Sequence, residues 1–268
     1  MLIAQITDLH ALPPGQCLDG LDTNALFGRA LRCLTRLEPA PDLVLITGDL
    51  AEGGTEQSYE KLEEALAMLD APYFLAVGNH DRREAVRRVF SGLPYMPKSG
   101  PIQYTVEDYP VRLVSVDTLD EGRGGGCLCS ERIAWLDGEL ARRPETPTLL
   151  FMHHPPFTSG IDWMDASRFR GVEPLAGLLR RHRQVRRIVC GHLHRPILSD
   201  FAGIPVSVAP STCYQVHLDL APAAPPHIVL EPPACHLHLW DECRFVTHEH
   251  LIASNALPIC LRKQEEAP

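Results

Sequence analysis

Five short apolar runs in this chain are each followed at once by side chains that bind metal ions, and this repetition constrains the fold more than any other feature. Asp8-Leu9-His10 follows Leu2–Thr7, Gly48-Asp49 follows Leu43–Thr47, and Gly78-Asn79-His80-Asp81 follows Tyr73–Val77. His153-His154 follows Thr148–Met152, and Gly191-His192-Leu193-His194 follows Arg187–Cys190. Short apolar runs bounded by glycine and polar residues read as buried strands. Side chains at the carboxyl ends of adjacent strands converge on the crevice where open α/β sheets place their sites. In an extended segment residues i and i+2 share a face, so Asp8 with His10, and His192 with His194, are expected to present paired ligands. Glycine ahead of Asp49, Asn79 and His192 lets the backbone turn sharply beside a cation.

The donors are carboxylates, imidazoles and one amide carbonyl, with no thiolate. That set suits Mn, Fe, Zn or Co better than a cysteine-rich structural zinc site, and it is too rich in nitrogen for calcium or magnesium alone. Between the runs lie helical patterns. Thr23 is placed to cap a helix carrying Leu26, Ala30, Leu31 and Leu34, Thr55 one with Tyr59, Leu62, Ala65, Leu66 and Leu69, and Ser130 one with Ile133, Trp135, Leu136 and Leu140; a fourth spans Val172 to His182. This is the βαβ rhythm of an α/β fold. After Gly191 the pattern turns to antiparallel strands, Ile197–Phe201, Ile204–Val208, Cys235–Trp240 and Cys243–His248. The Pro-rich stretch Ala221 to Pro233 reads as an irregular connection.

Length allows one large core, so 268 residues point to one α/β domain. No stretch approaches the roughly 18 apolar residues of a membrane span, and the N-terminus leaves no room for an export signal ahead of Asp8. Nine scattered cysteines form no disulfide framework, so a cytoplasmic protein with reduced thiols is expected, with no membrane association. A net charge of −9 disfavours a nucleic-acid polymer as partner, whereas bound cations can reverse the local field for a small anionic substrate.

Asp8-x-His10, Gly48-Asp49, Gly78-Asn79-His80-Asp81, His153 and Gly191-His192-x-His194 resemble the signature of the calcineurin-like binuclear metallophosphoesterases across residues 1 to 218. Met152-His153-His154-Pro155-Pro156, the Trp135-Leu136 helix and Pro210-Ser211-Thr212-Cys213-Tyr214-Gln215 are similar to one branch, the class III cyclic-nucleotide and glycerophosphodiester phosphodiesterases. The resemblance implies a four-layer αββα sandwich of two mixed sheets with extra C-terminal strands, a catalytic domain over 1–220, and residues 221–268 packed on it or on a neighbouring subunit of a homo-oligomer. It also implies two divalent or trivalent transition metals. The first is assigned Asp8, His10, Asp49 and His194, the second Asp49, Asn79, His153 and His192, with Asp49 bridging. The metals would share a hydroxide that attacks phosphorus, His80 would face the phosphoryl group, and Asp81 would orient His80. The substrate implied is a small phosphodiester, such as cAMP or a glycerophosphodiester. A phosphomonoester, a 2′,3′-cyclic nucleotide and a non-catalytic scaffold stay open. Leu50-Ala51-Glu52-Gly53 after Asp49 departs from the Asp-Arg-Gly segment of protein phosphatases and counts against that activity.

The remaining candidates read more simply as structure. His154 should point away from His153, and His236-x-His238 and His248-x-His250 sit on alternating strands. Gly122–Gly126 is a flexible loop without a phosphate-binding fingerprint. Arg180-Arg181-His182-Arg183 reads as a solvated helix end. Segment 157–171, with Trp163, Met164 and Phe169, is expected to wall the pocket.

Overall fold

A computed structural model describes residues 1–252. The first half alternates strictly: β1 (Leu2–Ile6), α1 (Thr23–Leu34), β2 (Leu43–Thr47), α2 (Glu56–Leu66), β3 (Tyr73–Ala76) and α3 (Arg83–Val89). The second runs β4 (Tyr104–Val106), β5 (Arg112–Ser115), α4 (Ser130–Ala141), β6 (Thr148–Phe151), α5 (Asp162–Asp165), α6 (Val172–Leu179), β7 (Val185–Cys190), β8 (Ile197–Phe201) and β9 (Ile204–Val208). The short pair β10 (Gln215–Val216) and β11 (Ile228–Val229) precedes the hairpin β12 (Ala234–Trp240) and β13 (Phe245–Leu251).

Two mixed sheets form. One has the order β13-β12-β1-β2-β3 and the other β4-β5-β6-β7-β9-β8. The central strands β1, β2 and β3 are mutually parallel, as are β5, β6, β7 and β9. Such strands are buried on both faces, which is why Leu43–Thr47 and Thr148–Phe151 are apolar without alternation. Period two nevertheless sorts the second sheet. Leu113, Leu149, Phe151 and Val189 face the core shared with β1, β2 and helices α1 to α3. Val114, Leu150 and Ile188 face α4 and α6 through Leu136, Leu140, Leu175 and Leu178. The layers are therefore helix, sheet, sheet, helix, the four-layer sandwich expected.

Several helix starts differ from expectation. Asp22, not Thr23, caps α1, accepting from Ala25 N at 2.9 Å, while the Thr23 hydroxyl donates to His10 O at 2.7 Å. A carboxylate at the cap frees the threonine to brace the first ligand loop. Thr55 does cap α2, accepting from Ser58 N. Cys129 holds the cap position of α4 without a side-chain bond, and Ser130 begins the helix proper. The fourth helix ends at Leu179 rather than His182.

The C-terminal hairpin completes the first sheet within the same chain, with β12 antiparallel to β1 from Leu2 opposite Leu239 to Gln5 opposite His236. Gln5 ties the two sheets together: Nε2 donates to Thr47 Oγ1 at 2.9 Å and to Cys190 O at 2.8 Å, and Oε1 accepts from His238 Nε2 at 3.0 Å. His238 is thus a fully partnered core histidine. Replacing Gln5 with Leu removes three buried hydrogen bonds and strands Thr47 Oγ1 and His238 Nε2, while Cys190 O still accepts from Ala209 N. We expect a loss of about 2–4 kcal/mol of stability, measured as a fall in the urea midpoint with an unchanged slope.

Candidate metal centre

All five ligand blocks lie in the turns just past β1, β2, β3, β6 and β7. Their backbone is not the extended form that the i, i+2 argument assumes. Asp8, His10, Asp49, His192 and His194 have φ of 53°, 47°, 46°, 72° and 46°, all in the left-handed region that L-residues avoid. Such residues cost about 1–3 kcal/mol each and persist where the surroundings hold them. Here they are held. Asp8 N and His10 N donate to Gly48 O and Asp49 O at 3.1 and 3.0 Å, and the Ser211 hydroxyl donates to Asp8 O at 2.9 Å. His192 N donates to the Asp8 carboxylate at 3.1 Å and His80 N to Asp49 Oδ1 at 2.9 Å. Asp8 and His10 reach one donor set through single left-handed residues rather than through an extended run, and His192 and His194 serve different sets.

Two donor sets result. Asp8, His10, Asp49 and His194 offer ligand atoms all within 4.8 Å of one another. Beside them, His153 Nε2 lies 3.2 Å from both Asp49 Oδ2 and Asn79 Oδ1, and His192 Nδ1 lies 3.1 Å from Asn79 Oδ1. Asp49 stands between the sets.

The hydrogen bonds on the far sides of the rings test whether these residues fit a metal pair. His153 Nδ1 donates to Thr47 O at 2.8 Å and His194 Nδ1 to Tyr214 O at 3.0 Å. A carbonyl only accepts, so each Nδ1 carries the proton, and in the neutral ring Nε2 presents a lone pair. His10 Nδ1 donates likewise to Glu52 Oε2 at 2.7 Å, and His10 Nε2 then faces His194 Nε2 at 3.2 Å. With the rings neutral, lone pairs and carboxylate oxygens crowd one another at hydrogen-bond distance. A cation resolves both crowds, and outer partners of this kind orient metal-binding imidazoles. The field agrees. Burial disfavours ionised Asp49, yet His153, His80 and His10 outweigh it and hold the carboxylate well below its ordinary value. Burial also opposes charge on His153, but Asp49 and Asp8 lift it to about 9, so the cavity draws positive charge to that nitrogen. Burial and the neighbouring His153 keep His192 neutral, its value lowered to about 3. The calcineurin-like fold and this donor set support a pair of divalent metal ions.

His80 lines the cleft, and its orienting partner is not Asp81. The Asp81 carboxylate is fully buried and accepts from Leu50 N, Ala51 N, Gly78 N and the Tyr59 hydroxyl at 3.2, 3.2, 2.7 and 3.0 Å. It fastens the β2 and β3 loops together and has no oxygen left for an imidazole. Glu52 takes that place: Oε1 accepts from His80 Nδ1 at 2.9 Å while Oε2 holds His10. Despite its burial, the hydrogen bonds from both histidines lower Glu52 to about 2, so it is a fixed anion. Nothing in the sequence marks Glu52 except its place three residues after Asp49. Tyr214, which the sequence marks only as part of segment 210–215, has its ring 4.6 Å from that of His194 and 5.7 Å from that of His10.

His154 does not point away from His153. Strand β6 ends at Phe151, alternation stops there, and the two rings lie 4.7 Å apart. Its Nδ1 meets the Thr118 hydroxyl at 2.8 Å and its ring backs His192 at 4.6 Å, a supporting position. Above the donors is a cleft of about 250 Å³ whose walls include Gly124, Trp163, Met164, Ser167, Tyr214 and Ile228. A larger cavity of about 740 Å³ adjoins it through Met164, Ser167 and His192, with Phe157 and Phe169 in its wall. The larger space is beside the metal donors rather than over them. Segment 157–171 walls both, and the glycine loop packs against it: a Cβ on Gly125 would meet Arg168 O at 2.5 Å.

The chain matches the calcineurin-like phosphoesterase family over residues 1–196. It is 35% identical over 244 residues to a probable glycerophosphodiester phosphodiesterase of Arcobacter nitrofigilis, covering 90% of this chain and 89% of that one. It is 37% identical over 223 residues to a probable cyclic nucleotide phosphodiesterase of Rhodopseudomonas palustris, covering 82% and 81%. Among solved structures, a dimetal phosphatase from Danio rerio superposes with a TM-score of 0.69 at 17% identity, covering 94% of this chain and 96% of that one, a likeness of fold. With the signature blocks gathered at one pole of an αββα sandwich and the family matched over most of its length, the chain belongs to the calcineurin-like phosphoesterases.

Proposed function

We propose that this protein is a metal-dependent phosphodiesterase that hydrolyses small phosphodiesters, 3′,5′-cyclic nucleotides or glycerophosphodiesters. The observation that carries the reading is the convergence of seven carboxylate, imidazole and amide donors on two points with Asp49 between them. The names of relatives support the substrate class, since those sharing 35% and 37% identity are called glycerophosphodiester and cyclic nucleotide phosphodiesterases. Asp8, His10, Asp49 and His194 would hold one metal, and Asp49, Asn79, His153 and His192 the other, with Mn, Fe, Zn or Co matching the donors. A bound pair supplies an activated water and polarises the phosphoryl oxygens.

The chain's own groups do the rest. Glu52 pins His80 at Nδ1, which leaves Nε2 at the cleft, 4.0 Å from Asp49 Oδ2. From there His80 can stabilise charge on the phosphoryl group and hand a proton to the leaving alkoxide. The 250 Å³ cleft admits a phosphoryl group with one small ester arm. Trp163, Met164 and Ile228 give that arm an apolar wall.

Assay of the Mn-reconstituted protein against 3′,5′-cAMP, a 2′,3′-cyclic nucleotide, a glycerophosphodiester, a bis-aryl phosphodiester and a phosphomonoester should show diester turnover; fast monoester cleavage without diester cleavage would overturn the choice. His80→Ala should lower kcat by about 10²–10⁴-fold with two metals retained by elemental analysis. Glu52→Gln, which loosens His80 and His10 together, should lower turnover by about 10–100-fold and weaken one metal. The second donor set has only the shared carboxylate plus neutral Asn79, while the first has Asp8, Asp49 and the nearby Glu52 anion. Titration of metal into apo-protein should therefore resolve a tight and a weak step, and a single tight two-metal step contradicts this asymmetry.

A further inference from the structure

At the pole opposite the metal donors is a third cavity, of about 560 Å³, whose lining includes Arg180, Arg183, Arg186, Arg187 and Arg244. Its position follows from topology. Strand β7 runs from Val185 to Cys190 with its carboxyl end at the metal centre, so Arg186 and Arg187 lie toward its other end, about 13 and 10 Å before Cys190 at the usual rise per residue. The β8–β9 turn at Ala202-Gly203 and the β12–β13 turn before Phe245 reach the same pole, because β9 is parallel to β7 and β12 antiparallel to β1. The cavity therefore joins the lower edges of both sheets.

Among the described residues the charge there has little compensation. In a chain of net charge −9, Arg180, Arg183, Arg186 and Arg187 form no ion pair among the described residues. The acids nearby are spent elsewhere: Asp137 holds Arg181 and His182, and Asp241 holds Arg244. Arg187 is the sharpest case. It is half-buried, and among the described residues its Nε is buried with no hydrogen-bond partner and its side chain makes one hydrogen bond, from Nη2 to Phe245 O at 3.1 Å. Burial with no carboxylate beside it pulls this guanidinium below its ordinary value, and it in turn helps keep the buried His236 neutral. A partly desolvated cation without a counter-ion is unfavourable, and an incoming anion relieves it.

We propose that this cavity is a binding site for a small phosphate-bearing molecule, held by Arg187 at its floor and by Arg183 and Arg186 at its rim. Guanidinium forks match phosphate oxygens in pairs. The apolar wall formed by Leu179, Ile204, Pro205 and Phe245 accommodates the organic part of the ligand. The site shares no residue with the metal cleft, so it does not depend on the phosphodiesterase reading.

The test is calorimetric titration of inorganic phosphate into the full chain, into Asp49→Ala, which silences the metal cleft, and into Arg183→Glu/Arg186→Glu. Two binding events are expected in the parent and one in Asp49→Ala. The event lost in the arginine double variant should be the one that Asp49→Ala keeps, with diester hydrolysis and metal content unchanged. Arg187→Lys, which keeps the charge without the fork, should weaken that event roughly tenfold. Absence of phosphate binding in Asp49→Ala, or its persistence in the double variant, would overturn the proposal. So would binding to vesicles of phosphatidylcholine and phosphatidylserine without binding of free phosphate, because the arginines would then serve a lipid surface.

Discussion

Everything at the metal centre depends on three places where a side chain is missing. A Cβ on Gly48 would lie 2.5 Å from His153 Nδ1, one on Gly78 2.2 Å from Asp49 Oδ1, and one on Gly191 2.0 Å from Thr7 Oγ1 and 2.8 Å from Asp8 Oδ2. Each glycine vacates the space that a neighbouring strand's ligand or its support occupies. The glycines are thus less about turning the chain than about proximity between strands. Only Gly48 of the three has a positive φ, at 95°, while the ligands themselves carry most of the left-handed backbone. The usual division of labour, in which glycine absorbs the awkward conformation, is here partly reversed.

That reversal explains what was legible in the sequence and what was not. The strand runs and the donors after them could be read because burial on both faces and metal chemistry each restrict residue type. Their convergence could be inferred from the rule that sites form at strand carboxyl ends. The reason for pairing could not, since the i, i+2 argument presumes an extended chain where the structure has left-handed residues. Asp81 and Glu52 show the same limit. Both are carboxylates near His80 in the sequence or in space, and the one adjacent in sequence is consumed by backbone amides. Long-range hydrogen bonds decide such roles, and no local pattern encodes them. Helix starts misread by one residue at Asp22 and Cys129 are a milder form of the problem, because neighbouring residues compete for the cap.

Charge is distributed along the strand direction. Carboxylates Asp8, Asp49, Glu52 and Asp81 gather at the carboxyl ends of β1, β2 and β3, where backbone amides and imidazoles satisfy them. Arginines gather at the opposite ends of β7 and the hairpins. A net charge of −9 conceals this polarity, which is why the arginine run 180–183 reads as an ordinary helix end when taken without its neighbours in space.

The pairing of β12 with β1 has a bearing on the order in which the molecule can be assembled. Strand β1 carries the first ligands, yet one of its two edges stays open until residues near Leu239 have been made. Chains emerge N-terminus first, and an unpaired apolar edge is a site of wrong association. The strand that begins the metal centre is thus among the last to be sheltered, and the nascent chain must carry that edge through synthesis of most of its length.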